Sequence, residues 1–179
     1  ITVETAPMPV DPTQLQQAAQ VWRAQNVAEN GRLWAMLIGG DGAGAHYSAQ
    51  DWQDLAEQMQ KISDQHRVRW LLTTSRRSGA MAEQLLKRHL NPHIVADAVW
   101  WHSEPRKVMA AFLGCAEVVC CTAESLSMLT EAIVAQRPVL ALHPAHFRPD
   151  ERYANALHAL ENHRRLAVSA IADAHLASS

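Results

Sequence analysis

Short apolar runs and amphipathic stretches alternate strictly along the 179 residues of this chain. The apolar runs have the length of strands, whereas the stretches between them repeat their apolar residues at helical spacing. Strands and helices in strict alternation are typical of a parallel sheet with helices on both faces. The chain is therefore predicted to have an α/β fold, a Rossmann-like three-layer sandwich with a mostly parallel sheet of five or six strands.

The predicted elements cover the chain from residue 12 onward. The strands are expected at residues 33–38, 68–74, 94–101, 118–121 and 138–142. The helices are expected at residues 12–28, 49–65, 80–90 and 104–114, in the segment that starts at residue 125, and over 150–176 as one or two amphipathic C-terminal helices. Two helix starts carry capping signals, namely Asp11 before Pro12, and Ser48 with Asp51 three positions later.

The first residues have the character of a linker. Residues 1–13 are interrupted by prolines, and the chain starts with Ile rather than Met. Linkers of this composition commonly join domains. We expect residues 1–13 to be a linker from a missing N-terminal half, and residues 14–179 to form one Rossmann-like domain.

Polar loops follow three of the predicted strands. Gly39 and Gly40 follow the first, Ser75, Arg76 and Arg77 follow the second, and a loop from Thr122 to Ser125 follows the fourth. Parallel strands end at the same edge of their sheet, where ligands bind in open α/β folds. The three loops together predict a binding site at that edge.

The glycines and arginines of these loops each allow two interpretations. Gly39 and Gly40 permit close approach of a ligand to the backbone, but their spacing matches neither the phosphate-binding P-loop nor the dinucleotide fingerprint, so a flexible turn is equally consistent. Arg76 and Arg77 carry planar donor groups that suit a pyrophosphate. An exposed pair bound to surface carboxylates is the alternative.

The segment from Thr122 to Glu131 predicts an anion site. A strand that runs into a helix near Ser125 presents free N–H groups and the positive end of the helix dipole. Glu131 lies roughly 9 Å further along the helix axis, a separation that suits a phosphate at the helix start and a sugar hydroxyl at the carboxylate. An ordinary capped helix with an exposed glutamate is the alternative.

Composition excludes several other classes of protein. The chain is 48% hydrophobic and 19% charged, with a formal net charge of −2, so it has no general basic field for nucleic acid. No apolar run reaches the length of about 20 residues that spans a bilayer. The three cysteines, Cys115, Cys120 and Cys121, are predicted to be reduced and buried, as in a cytoplasmic protein.

The sequence predicts no metal site and identifies no catalytic residue. The histidines lack the spacing of paired metal ligands, and His143 and His146 are interpreted as loop residues rather than ligands. His46 and Tyr47, after the glycine loop, are candidates for contact with a substrate. No nucleophile motif is present.

Several of these motifs together resemble a known family. Gly39 and Gly40, then Ser-Arg-Arg from Ser75, then a Ser-x-Ser-Met-x-x-Glu-Ala pattern from Ser125 to Ala132, resemble the bacterial and plant family named for a mitochondrial fission factor of the Elm (elongate-mitochondria) type. Bacterial members carry the label of nucleoside-diphosphate-sugar epimerase. The resemblance covers about residues 31–142, and it implies the C-terminal half of a GT-B-like fold, in which two Rossmann-like halves enclose a nucleotide-sugar.

The resemblance also implies roles for the residues that match. The expected ligand-binding residues are Gly39, Gly40, Ser75, Arg76, Arg77, Thr122, Ser125, Ser127 and Glu131. Gly39 and Gly40 would approach the diphosphate, Arg76 would neutralise it, and Ser125 would hold phosphate while Glu131 meets the ribose. The expected ligand is a nucleoside diphosphate or nucleotide-sugar, and the other half would supply the acceptor site and the catalytic base. The isolated chain is therefore expected to be inactive as a glycosyltransferase or epimerase.

The chain differs from the family pattern at a few positions, and two other functions stay open. Glu124 replaces a usual Asp, and Gln136 replaces a usual Gly. A non-catalytic interaction or adaptor module on the same fold is the first alternative. An NADP-binding Rossmann domain is a distant second. In dinucleotide-binding domains the acidic residue that binds the ribose follows the glycine motif by about 20 residues, whereas here Ser75 follows Gly39 by about 35.

Overall fold

The computed structural model describes residues 11–179, and six of its strands form one sheet. These strands are β1 (Leu33–Leu37), β3 (Arg69–Thr73), β4 (Val95–Val99), β5 (Val119–Thr122), β6 (Val139–His143) and β8 (Ala167–Ala170). They are ordered β4-β3-β1-β5-β6-β8, and every neighbouring pair is parallel. The predicted Rossmann-like α/β fold is confirmed.

The helices lie on both faces of this sheet. They are α1 (Pro12–Gln25), α2 (Ala49–His66), α3 (Gly79–His89), α4 (Met109–Cys115), α5 (Leu126–Val134), α6 (Glu151–Asn162) and α7 (Ala174–Ala177). The two predicted capping signals are confirmed, since the Asp11 side chain accepts from the Thr13 N–H, and Ser48 with Asp51 forms a capping box. Within residues 11–179, none of the helices combines the length and apolar character that crossing a bilayer requires.

The predicted C-terminal helices are partly wrong. Residues 150–176 contain α6, but β8 then adds a parallel strand beside β6 before a short 3-10 turn and α7. The strand has only four residues, Ala-Val-Ser-Ala, and so short a segment does not display the alternation that identifies a strand. Its pairing with β6 is a tertiary effect that overrides a helix-like composition.

The fourth predicted helix begins later than expected. Residues 104–108 are not helical, and α4 starts at Met109. Arg106 instead reaches back to β4, where its guanidinium binds the Asp97 carboxylate at 2.6 Å. A proline also disfavours helical backbone at the residue before it, and Glu104 stands before Pro105. This irregular segment becomes one wall of the candidate site.

The sheet separates two hydrophobic cores. Along β1, Leu33, Ala35 and Leu37 face one core, while Trp34 and Met36 face the other. This alternation is the period-two pattern of a strand that is covered on both faces. The vicinal thiols of β5 divide in the same way and are free and fully buried, which confirms their prediction as small hydrophobic residues.

The strand order creates a switch point between β1 and β5. The chain builds outward from β1 to β3 and β4, then returns to the opposite side of β1 and continues through β5, β6 and β8. The loops that follow β1 and β5 therefore lead to helices on opposite faces of the sheet. In open α/β folds ligands commonly bind near such a switch point.

A small antiparallel pair braces that edge. Strands β2 (Ala45–His46) and β7 (His146–Phe147) join the glycine loop to the loop after β6. Gly44 adopts a φ of +84°, and a Cβ atom there would lie 2.1 Å from the Arg148 carbonyl oxygen. Only glycine fits this position, so Gly44 is explained by the contact between the two loops.

Candidate functional site

A cleft of about 480 Å³ opens at the carboxyl edge of the sheet. Ser75 and Arg76 line it from the loop after β3, and Glu131 lines it from α5. Trp101 and Met128 contribute apolar surface. The structure therefore joins three of the predicted site residues, from two distant segments of the chain, in one concave site that is large enough for a small organic ligand.

Charged groups of both signs line this cleft. Arg106 and Lys107 are exposed and join Arg76 on its walls. Glu131 is half-buried, and burial raises the pKa of its carboxyl group above the ordinary value. A ligand with a phosphate group for the cations and a hydroxyl donor for Glu131 would complement these charges.

A second polar cluster occupies the switch point. The Gly39 N–H donates to Thr122 Oγ1 at 2.8 Å, which ties the end of β1 to the end of β5. Beside it the Tyr47 hydroxyl donates to Glu124 Oε1 at 2.6 Å, while Glu124 Oε2 is buried and has no hydrogen-bond partner among residues 11–179. The loss of solvent raises the pKa of Glu124, whereas the bond from Tyr47 and the nearby Arg77 guanidinium act in the opposite direction.

The two predicted glycines serve packing in this cluster. A Cβ atom on Gly39 would lie 3.1 Å from Thr122 Oγ1 and 3.2 Å from both Arg77 Nη2 and Glu124 Cδ. A Cβ atom on Gly40 would lie 2.3 Å from the Arg77 carbonyl oxygen. Both glycines let the loop after β1 lie against its neighbours, and neither lines the 480 Å³ cleft.

The two predicted arginines lie on different sides of the loop after β3. Arg76 faces the large cleft, while Arg77 lines a separate cavity of about 220 Å³ together with Gly40 and Tyr47. Both arginines lie in a turn that Ser78 fixes, because the Ser78 hydroxyl accepts from the Ser75 N–H and donates to the Gly39 carbonyl. The two guanidiniums are therefore not arranged as a single clamp.

The remaining predicted residues lie near the start of α5. Thr122 is fully buried, and Ser125 at the N-cap position is 4% exposed and makes no side-chain capping bond. Ser127 is exposed in the first turn. None of these three lines the 480 Å³ cleft. Their role in ligand binding, and that of Ser125 in holding phosphate, stay predictions.

Sequence reasoning missed several residues of the cleft. These residues are Trp101, Arg106, Lys107 and Met128. The signal was the pair Trp100-Trp101 at the end of a strand, since consecutive side chains there must face opposite sides. Tyr47 lines the cavity of about 220 Å³ and donates to Glu124, and its contact with a substrate stays a prediction.

The fold and the cleft define a Rossmann-like α/β domain that carries a ligand-sized site at its carboxyl edge. The chain belongs to the family described as Mitochondrial fission ELM1, whose model matches residues 1–174. The resemblance inferred from the sequence motifs is thereby confirmed. No curated protein is similar enough in sequence to match.

Two solved structures are similar to the chain. One is the α,α-trehalose-phosphate synthase (UDP-forming) from Burkholderia vietnamiensis, with a TM-score of 0.54 and 14% identity over 96% of this chain and 43% of that protein. The other is the molybdenum cofactor carrier protein from Chlamydomonas reinhardtii, with a TM-score of 0.46 and 15% identity over 83% of this chain and 96% of that one. The first likeness confirms the GT-B-like fold, and this chain spans less than half of that synthase.

Proposed function

We propose that this chain is a nucleotide-sugar binding domain of a GT-B-type protein. The observation that carries the proposal is the meeting of Ser75 and Arg76 with Glu131 across one cleft. An arginine and a hydroxyl on one wall suit a diphosphate, and a carboxylate on the other suits the hydroxyls of a sugar. The fold shared with a UDP-forming synthase supports this choice of ligand class.

The rest of the cleft has the chemistry that the remaining parts of such a ligand require. Trp101 and Met128 offer apolar surface to a planar base. Lys107 adds a flexible positive charge near the phosphates. In this arrangement Glu131 accepts from a ribose hydroxyl, which compensates the burial that raises its pKa in the free protein.

The proposed chemical role is electrostatic. Cations that hold a nucleoside diphosphate also stabilise it as a leaving group, and they can do so without a metal ion. The acceptor and the catalytic base would come from a separate N-terminal half, so the isolated chain is proposed to bind a donor without turning it over. Function in the cytoplasm is part of the same proposal.

Titration of the isolated chain with UDP tests the proposal. We expect thermal stabilisation at millimolar UDP, and a loss of affinity of about tenfold or more in Arg76→Ala and Glu131→Ala, as for charge-assisted hydrogen bonds. Arg88→Ala, at the far end of α3, and Glu57→Ala, on the exposed face of α2, are matched controls that should bind like the wild type. Absence of stabilisation by any nucleotide at millimolar concentration would overturn the proposal.

The same titration separates the alternatives. An adaptor module that retained only the fold would show no stabilisation by nucleotides. An NADP-binding domain would bind NADPH more tightly than UDP, and Arg76→Ala would reduce its preference for NADPH over NADH. Preference for UDP over both dinucleotides would support the nucleotide-sugar proposal.

A further inference from the structure

A buried glutamate outside the cleft binds the cleft wall. Glu83 lies on α3 and is 2% exposed. Its carboxylate accepts from Thr74 Oγ1 at 2.8 Å, from the His102 N–H at 2.9 Å and from Ser103 Oγ at 3.3 Å. A buried carboxylate is costly unless it is hydrogen-bonded, and here both oxygens have donors. Glu83 therefore joins α3 to the end of β3 and to the loop after β4.

Thr74 links Glu83 to a further residue of the cleft wall, Trp101. Its Oγ1 donates to Glu83 and accepts from the Trp101 N–H at 2.8 Å. The N–H groups of Trp101 and His102 are thus held in succession, the first through Thr74 and the second directly by Glu83. The β3–β4 ladder ends just before this point, where the Thr74 N–H binds the Val99 carbonyl. The network fixes the backbone where β4 becomes the cleft wall.

The fixed backbone determines which tryptophan faces the ligand. Trp100 packs against the core beneath α2 and α3, and Lys87 Nζ lies 5.1 Å from the centre of its ring. Trp101 packs against the opposite core and lines the large cleft. Because consecutive side chains at a strand end face opposite sides, a slip of one residue would exchange them.

We propose that Glu83, acting with Thr74, is the positioning residue that holds the Trp101 wall of the cleft and thereby sets the affinity for the base of a nucleoside diphosphate. The inference rests on the proposed function for its ligand. Glu83 does not line the cleft, so it acts through the loop and not by contact with the ligand, whereas Thr74 is 3% exposed and does line the cleft. In this proposal the diphosphate is held mainly by Ser75 and Arg76, and the hydrogen bonds of Glu83 go to neither of these residues.

The hydrogen bonds of Glu83 predict which substitutions are tolerated at this position. In Glu83→Gln the amide oxygen can accept from Thr74 and His102, while the amide NH₂ donates to the Ser103 hydroxyl. Glu83→Ala leaves the His102 N–H without its acceptor, and the Thr74 hydroxyl then has only the Val99 carbonyl as an acceptor, at 3.2 Å. Thr74→Val removes the acceptor for the Trp101 N–H and retains the bond from His102 to Glu83. Glutamine should therefore rescue what alanine loses.

The test compares UDP with inorganic pyrophosphate as probes of the intact chain. For Glu83→Ala and Thr74→Val we expect the Kd for UDP to rise at least about tenfold, while the Kd for pyrophosphate changes less than about twofold. Glu83→Gln should retain both values. Ser63→Ala removes a comparable buried hydrogen bond, from Ser63 Oγ to the Val68 carbonyl before β3, and should change neither Kd. If Glu83→Ala does not fold, the same two Kd values are measured for Thr74→Val.

Amide hydrogen exchange without ligand provides a second readout. The amides of Trp101 and His102 should be protected in the wild type and in Glu83→Gln. The His102 amide should lose protection in Glu83→Ala, and the Trp101 amide should lose it in Thr74→Val. Retained protection in Glu83→Ala, or an equal loss of UDP and pyrophosphate binding, would overturn the inference. If the wild type binds neither probe, the proposed function fails, and the exchange data alone decide whether Glu83 holds this wall.

Discussion

At the scale of one residue, the buried carboxyl group of Glu124 makes the stability of the fold depend on pH. One of its oxygens accepts from Tyr47, and the other is buried without a partner. Because burial raises its pKa above the ordinary value of 4.5, the folded chain retains the proton to a higher pH than the unfolded chain. The contribution of Glu124 to stability is therefore largest below the unfolded pKa and is lost as the pH rises through the folded pKa.

Tyr47→Phe should destabilise the chain in a pH-dependent way. The tyrosine hydroxyl favours the ionised form of Glu124, so its removal raises the pKa of that carboxyl group further. We expect a loss of about 1–3 kcal/mol at pH 7 and a smaller loss at pH 4, measured by urea unfolding at both values.

Tyr153→Phe is the matched control for this pH dependence. The Tyr153 hydroxyl donates to a neutral acceptor, the Ala123 carbonyl, at 2.8 Å. Its removal should cost about 1 kcal/mol at either pH. If the two variants responded equally to pH, Glu124 would not be the titrating group.

Gln136 occupies a backbone position that suits glycine. It follows α5 with a φ of +61°, in the left-handed region that costs most residues about 1–2 kcal/mol. Gln136→Gly should stabilise the chain by about 0.5–1 kcal/mol, because relief of this strain exceeds the added entropy of the unfolded chain. Gln136→Ala retains the Cβ atom and should be near neutral. Thermal unfolding of the two variants provides the measurement, and a destabilised glycine variant would show that the side chain of Gln136 contributes more than its backbone costs.

At the scale of the elements, the sequence predicted what local chemistry determines. The central strands have uninterrupted apolar runs, and α1 and α2 begin at residues that cap them, so their positions follow from the chain itself. Strands β2, β7 and β8 have two, two and four residues, and they exist only because partners lie beside them. Such pairings depend on the folded arrangement and cannot be predicted from a local pattern.

In the candidate site, too, the sequence predicted what local chemistry determines and not what depends on the folded arrangement. The sequence identified the loops that meet at the carboxyl edge, because parallel strands place them there. It could not separate Arg76 from Arg77, since their facing depends on the turn that Ser78 holds. It also could not place Trp101 in the cleft, because the choice between Trp100 and Trp101 depends on the register in which β4 pairs with β3.

The C-terminal segment should matter for stability despite its irregular pattern. Ile171 is 2% exposed and packs beneath α2, while Leu176 is 65% exposed. Ile171→Ala should cost about 2–4 kcal/mol, because it leaves a cavity in the core. Leu176→Ala should change the free energy of unfolding by less than about 0.5 kcal/mol. Urea unfolding compares the two, and equal effects would show that β8 and the turn after it are not part of the cooperative fold.

At the scale of the whole molecule, the net charge and the proposed ligand have the same sign. The formal net charge is −2, so the field of the protein as a whole does not attract a nucleoside diphosphate. Attraction must come from the cations that line the cleft, and exposed charges act over about 8–10 Å at physiological salt. Binding should therefore depend on where a charge lies rather than on the total.

A pair of charge reversals tests this dependence on location. Lys107→Glu and Lys61→Glu each replace a positive charge with a negative one, so each changes the net charge from −2 to −4, but of the two residues only Lys107 lines the cleft. We expect Lys107→Glu to weaken UDP binding about tenfold or more and to reduce its dependence on salt, whereas Lys61→Glu on α2 changes the affinity less than about twofold. Calorimetric titration at 50 and 300 mM salt, with uridine as the uncharged comparison, separates the local effect from the global one. Equal weakening by the two reversals would mean that UDP responds to the overall charge and that the cleft does not hold its phosphates.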